Sequence, residues 1–166
     1  YKLFGATNVL DVTAGWGGRM LGALSLGINY TGIDTNINMK EAYDKMMELT
    51  VANTPHVNSG NATMIWKSCF DVDFSEGNYD LVLTSPPYDN MEIYEHSELY
   101  DNKENKYYED FLLPLMNKLV EETDCPICIN ISPKIYKQLT ETYKFPKCDR
   151  QIDLRQQLGQ QYKTKS

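Results

Sequence analysis

No stretch of this 166-residue chain approaches the ~18 uninterrupted apolar residues that a membrane-spanning helix needs. The opening residues, YKLFGATNVL, lack the basic stretch and apolar core of a secretory leader. Cysteine is sparse, four in all, too few to staple a chain of this length with disulfides. A reducing, cytoplasmic setting without a membrane partner is therefore expected. Basic residues are outnumbered, 16 Lys and Arg against 23 Asp and Glu, for a formal net charge of −7. Such a surplus of acid is unfavourable for a surface that must neutralise phosphates. The deficit is uneven, because residues 134–166 carry eight basic and three acidic residues. That stretch is either a solvated surface or a strip facing a phosphate backbone. Histidine is scarce, with two residues, and His56 falls in turn material where a lone imidazole is usually surface. What is present is a 42% apolar chain, long enough for one domain with its own core.

Two stretches stand out. Asp80 to Thr84 reads as a buried strand, with Leu81, Val82 and Leu83 after a charged entry residue. The pattern stops at Ser85-Pro86-Pro87-Tyr88. Proline has no N–H, and the residue before it avoids the helical region. The chain must therefore leave the strand as a stiff, extended loop that fixes a hydroxyl and an aromatic ring. In open parallel sheets, ligands bind where strands end at their carboxyl side.

The second stretch is Val9 to Arg19, a short apolar strand entering the turn Asp11-Val-Thr-Ala-Gly15-Trp-Gly17-Gly18-Arg19. A helical pattern over residues 17–26 follows, and then a second strand, Tyr30 to Asp34. Gly15 and Asp34 are 19 residues apart. That spacing fits a glycine turn beneath a ligand and an acid about 20 residues on that holds ribose hydroxyls. The glycines run G-x-G-G without the third glycine of the dinucleotide fingerprint, so no nicotinamide site is read. Arg19 is an odd neighbour for a cationic ligand; a nearby carboxylate, or a carboxylate on the ligand, would account for it.

The pair DVTAGWGG and TSPPY resembles the S-adenosylmethionine-dependent amino-methyltransferases of DNA, which methylate cytosine N4 or adenine N6. Together with Asp34, the likeness covers roughly residues 8–132. It implies a Rossmann-like class I α/β fold, a doubly wound, mostly parallel sheet of order 3-2-1-4-5 with an incomplete C-terminal hairpin. It implies one catalytic domain over 1–166, truncated at both ends, without a separate target-recognition domain. The cofactor would be S-adenosylmethionine, held by Asp11, Ala14, Gly15, Gly17, Asp34, Thr35, Ser68, Cys69 and Phe70, with Asp11 meeting its ammonium group. Ser68 stands where the family often has an acid, which leaves the adenine contacts open. The catalytic loop would be Ser85, Pro86, Pro87 and Tyr88. There the Ser85 hydroxyl and the Pro86 carbonyl accept the target's N–H hydrogens, and Tyr88 stacks on the extruded base. DNA is the expected partner, ahead of RNA, with a protein partner or missing domain for sequence specificity. The same fold also serves RNA bases and protein glutamine, and non-catalytic subunits retain it.

The rest of the chain fits alternating helices and strands. Asn36 or Asn38 is placed to cap a helix carrying Met39, Tyr43, Met46, Met47 and Thr50 at helical spacing. Thr63 to Lys67 reads as the third strand. Asp89 to Asp110, with eight acids and two lysines, reads as a loop or lid whose tyrosines either stack on bases or are simply buried. Tyr107 to Glu122 reads as a helix that Pro114 should kink or tighten. Cys125 and Cys128 invite a metal or redox site, but they precede and enter the fifth strand, Ile127 to Ile131, and would point to opposite faces. No metal is assigned. A short helix over Lys134 to Tyr143 and a poorly periodic tail complete the chain.

Overall fold

The computed structural model describes residues 1–53, 60–87 and 106–152. Five parallel strands form one sheet: β1 (Asn8–Asp11), β2 (Asn29–Asp34), β3 (Ala62–Trp66), β4 (Leu81–Thr84) and β5 (Ile127–Ile129). Their order is β3-β2-β1-β4-β5, the expected doubly wound arrangement. The helices are α1 (Gly18–Leu24), α2 (Lys40–Asn53), α3 (Leu113–Glu122) and α4 (Pro133–Lys137).

Adjacent strand residues alternate between two cores. Val9 and Leu81 are opposite one another in the β1–β4 register, as are Leu10 and Val82. Val9 and Leu81 belong to a cluster with Met20, Ala23, Leu24, Tyr30 and Tyr43, built on α1 and α2. Leu10 and Val82 belong to a second cluster with Leu115, Leu119, Ile135 and Leu139, built on α3, α4 and the helical turn Gln138–Thr142 that follows it. Central strands that bury both faces need apolar runs rather than alternation, which Val9-Leu10 in β1 and Leu81-Val82-Leu83 in β4 supply. Each fully buried aliphatic side chain contributes about 1.5–3 kcal/mol.

Several boundaries differ from expectation for local reasons. β5 ends at Ile129, opposite Thr84, the last residue of β4: the Asn130 amide makes the final ladder bond to the Thr84 carbonyl at 2.9 Å, and Pro86 and Pro87 beyond have no N–H to continue it. The helix expected from Tyr107 begins as wide π turns, Tyr107–Leu112, and becomes α-helical at Leu113. Pro114 sits just past that switch, where a missing N–H is accommodated. Tyr107 and Tyr108 are buried, 7% and 3% exposed, and so belong to the core rather than to a base-stacking surface. Tyr88 and residues 89–105 lie outside the described residues. Neither asparagine caps α2: Asn36 precedes a single 3-10 turn, Ile37–Met39, and its side chain makes no capping bond. Cys125 packs against one core and Cys128 against the other, so the sheet separates them. No strand follows β5 among the described residues, and the tail beyond residue 152 is outside them. No described helix is long and apolar enough to cross a membrane.

Candidate functional site

Because all five strands run the same way, their carboxyl ends share one edge. The strand order reverses between β1 and β4, so the loops leaving these two neighbours diverge around a crevice, the place where open α/β sheets take ligands. The glycine turn leaves β1 there and Ser85-Pro86-Pro87 leaves β4.

The turn is shaped by backbone. Gly15 and Gly17 have φ of 60° and 81°, in the left-handed region that side chains disfavour. A Cβ on Gly17 would lie 2.7 Å from Met46 Cε, so this glycine lets the turn settle on α2. A Cβ on Gly15 would enter open space, the nearest other atom being the Thr13 carbonyl at 3.9 Å. Tyr43, buried in α2, donates its hydroxyl to the Gly15 carbonyl at 2.9 Å. The Gly15 amide donates to Asp34 Oδ2 at 2.8 Å. The two residues paired by spacing in the sequence are thus directly bonded. Asp34 Oδ1 accepts from the Asn36 amide at 2.9 Å. Ala14 is buried and Thr35 is exposed. Asn36 Oδ1 is the one buried side-chain polar atom without a partner among the described residues.

Asp11 departs from expectation. It is 0% exposed, and its carboxylate faces protein instead of a ligand's ammonium group. Oδ2 accepts from Arg19 Nε at 2.6 Å and from the Tyr30 hydroxyl at 2.7 Å. Oδ1 accepts from the Thr84 hydroxyl at 2.9 Å, and at 3.3 Å from both Arg19 Nη2 and the Thr13 amide. A buried carboxylate needs such a set, and losing one partner of a buried pair costs about 3–5 kcal/mol. Burial works against the Arg19 charge, but the Asp11 charge and hydrogen bond outweigh it and raise the guanidinium pKa. Burial first, and the nearby Asp11 second, push the Tyr30 hydroxyl far above its ordinary value, so it remains a donor.

The Thr84–Asp11 bond also joins the two loops. Thr13 and Thr84 hydroxyls are 2.7 Å apart, so the glycine turn and the Ser-Pro-Pro loop start from one hydrogen-bonded knot. Beyond it, Pro86 is buried and Ser85 is half-buried. Asn130 Nδ2 lies 3.3 Å from Ser85 Oγ, and the Tyr107 hydroxyl donates to the Pro87 carbonyl at 2.8 Å. The Pro86 carbonyl has no hydrogen bond among the described residues. The loop is held on both sides while its hydroxyl and one carbonyl retain capacity to accept.

At the end of β3, the Ser68 hydroxyl accepts from the Phe70 amide at 3.3 Å, closing a short turn. Cys69 packs inward at 7% exposure, and burial pushes its thiol up to about 11. Its side chain therefore serves the core instead of a ligand. Phe70 is 39% exposed and meets Phe111 edge to face, ring centres 6.0 Å apart.

Sequence reasoning missed Tyr30, Tyr43, Thr84, Tyr107 and Asn130 as parts of this edge. Tyr30 carried a signal. A tyrosine inside a buried strand needs a partner for its hydroxyl, and Asp11 lies on the same face of the adjacent strand, since Val9 pairs with Tyr30.

No family model and no curated protein matches the chain. Among solved structures, it is similar to a conserved hypothetical protein from Streptococcus pyogenes, at 25% identity and a TM-score of 0.38, over 49% of this chain and 48% of that one. It is similar to an SAM dependent methyltransferase from Agrobacterium tumefaciens, at 21% identity and a TM-score of 0.38, over 49% of this chain and 26% of that one. It is also similar to the plantazolicin methyltransferase BpumL in complex with SAH, at 16% identity and a TM-score of 0.45, over 82% of this chain and 44% of that one. The chain spans less than half the length of each of these three proteins.

Proposed function

We propose that this chain transfers a methyl group from S-adenosylmethionine to the exocyclic amino group of a base in DNA, cytosine N4 or adenine N6. The observation that carries the proposal is the junction at the crevice. A glycine turn bonded to Asp34 and a Ser-Pro-Pro loop start from the same Thr13–Thr84 contact.

The residues fit the cofactor. Open space over Gly15 gives room for a ligand close to backbone, and the half-buried Asp34 carboxylate keeps lone pairs for ribose hydroxyls. Phe70 offers an exposed apolar face suited to an adenine ring. Bound there, S-adenosylmethionine supplies a methyl group activated by its sulfonium.

The chain's own part is to prepare the acceptor nitrogen. An exocyclic amine is a weak nucleophile because its lone pair is delocalised into the base. Acceptors aimed at its two N–H bonds draw that lone pair out by favouring a tetrahedral nitrogen. Ser85 Oγ and the Pro86 carbonyl are these acceptors, and two prolines hold them without further reorganisation. Tyr107 fixes the far side of the loop through Pro87. Tyr88, outside the described residues, takes the flipped base by stacking, and its ring face also suits a cationic methyl donor. Sequence specificity is assigned to a protein partner or to a further domain of the whole protein.

The test is incubation with methyl-labelled S-adenosylmethionine and DNA, RNA or protein, followed by mass spectrometry of the digested products. N4-methylcytosine or N6-methyladenine from DNA is expected. Label confined to RNA or to glutamine side chains would replace DNA as the substrate.

A further inference from the structure

We infer that Arg19 is the recognition element for the carboxylate of the cofactor's amino-acid portion, with Asp11 acting as the buried brace that aims it. The inference rests on the S-adenosylmethionine reading of the crevice and adds the polarity of binding within it. Arg19 is the second residue of α1, and its guanidinium reaches the carboxyl end of β1, where it is held by three contacts. Nε donates to Asp11 Oδ2 at 2.6 Å, while Nη2 donates to the Thr13 carbonyl at 2.5 Å and to Asp11 Oδ1 at 3.3 Å. These use Nε and Nη2. Both N–H groups of Nη1 remain without a partner among the described residues, and 27% of the side chain is accessible.

A planar guanidinium fixed along one edge offers its other edge in a defined direction. That geometry matches a carboxylate better than a mobile lysine would. The brace also explains the buried acid. Asp11 neutralises the guanidinium on the protein side, Tyr30 and Thr84 complete its shell, and the fork cannot rotate away. Thr13, which supplies the third contact, is also the residue whose hydroxyl meets Thr84 at 2.7 Å. The cationic edge is therefore anchored at the junction of the glycine turn and the Ser85 loop. A zwitterionic amino-acid tail lying there would direct the sulfonium methyl toward the loop. Asp34, bonded to the Gly15 amide, takes the ribose end.

The experiment is calorimetric titration with three probes: S-adenosylhomocysteine, its decarboxylated analogue that keeps the amine, and 5′-methylthioadenosine, which lacks the amino-acid portion. Wild type should bind S-adenosylhomocysteine on the order of ten- to a hundredfold more tightly than the decarboxylated analogue, the size of a charge-assisted hydrogen bond. Arg19→Lys should lose most of that factor for S-adenosylhomocysteine and keep its affinity for 5′-methylthioadenosine. Arg19→Gln leaves Asp11 buried without its cation, so it is paired with Asp11→Asn to preserve the fold. Equal wild-type affinity for the carboxylated and decarboxylated ligands would overturn the assignment without any variant. Equal loss of all three ligands in Arg19→Lys would overturn it too, by reducing Arg19 to a structural brace. If wild type binds none of the three, the cofactor reading itself fails and the assignment falls with it.

Discussion

Thr84 Oγ1 donates to Asp11 Oδ1 at 2.9 Å across the β1–β4 boundary, between residues 73 apart in sequence. Both side chains are fully buried. The bond ties the start of the glycine turn to the start of the Ser-Pro-Pro loop, so each loop's position depends on the other's strand. Thr84→Val keeps the shape and deletes the donor. It should cost about 1–3 kcal/mol, the penalty of a buried acceptor deprived of a partner, read by urea denaturation. Thr84→Ser should recover most of this loss. Unchanged stability in Thr84→Val would remove the knot from the account.

The two glycines of the turn should separate stability from binding. Both have positive φ, so alanine costs about 1–2 kcal/mol at either. At Gly17 the new methyl also meets Met46, and thermal melts should show the larger loss there. At Gly15 the methyl enters the open space assigned to the ligand, so S-adenosylhomocysteine affinity should fall more than stability does. The reverse ranking by calorimetry and melts would place the ligand elsewhere.

Asp34→Ala should weaken S-adenosylhomocysteine binding by about 1.5–3 kcal/mol, the scale of a charged hydrogen bond. Part of the effect would come from releasing the Gly15 amide that Asp34 holds. Calorimetry with unchanged affinity would exclude Asp34 from the site.

At the opposite edge, Asp80 accepts from the Thr7 amide and hydroxyl at 2.8 and 2.5 Å and from the Asn8 amide at 3.0 Å. Burial alone would raise its pKa, but the Thr7 hydroxyl and the Asn8 and Thr7 amides outweigh it and hold the carboxyl below its usual value. A folded-state pKa below the unfolded one stabilises the protein above the unfolded value, and that contribution is lost as pH falls through the folded pKa. Wild type should therefore lose stability relative to Asp80→Asn below about pH 4. Denaturation curves that keep a constant gap between the two proteins from neutral to acid pH would contradict this.

The sheet was legible because its strands are short apolar runs bounded by acids, glycines and prolines. The Gly15–Asp34 junction was legible because a glycine turn after the first strand and an acid ending the second, about 20 residues on, are a recurrent pairing in doubly wound sheets. The fifth strand was drawn too long, since nothing in Ile129-Asn130-Ile131 reveals that its neighbour β4 stops at Thr84 and leaves it no partner beyond Ile129. Asp11 was assigned to the ligand because it stands beside the glycine turn, whereas its partners come from strand neighbours and from Arg19. The Tyr107–Pro87 and Tyr43–Gly15 bonds join segments 20 and 28 residues apart, and no local pattern marks such contacts.

The most direct measurement is single-turnover methyl transfer by wild type and Ser85→Ala, with S-adenosylhomocysteine titrated into both. If Ser85 accepts a hydrogen bond chiefly as the target nitrogen becomes tetrahedral, its contribution is larger in the transition state than in the ground state. Ser85→Ala should then transfer about ten- to a thousandfold more slowly, the range for losing one preorganised polar contact. Its cofactor affinity and melting temperature should stay at wild-type values. An active wild type matched by an equally fast Ser85→Ala would contradict the assignment and leave the Pro86 carbonyl as the sufficient acceptor.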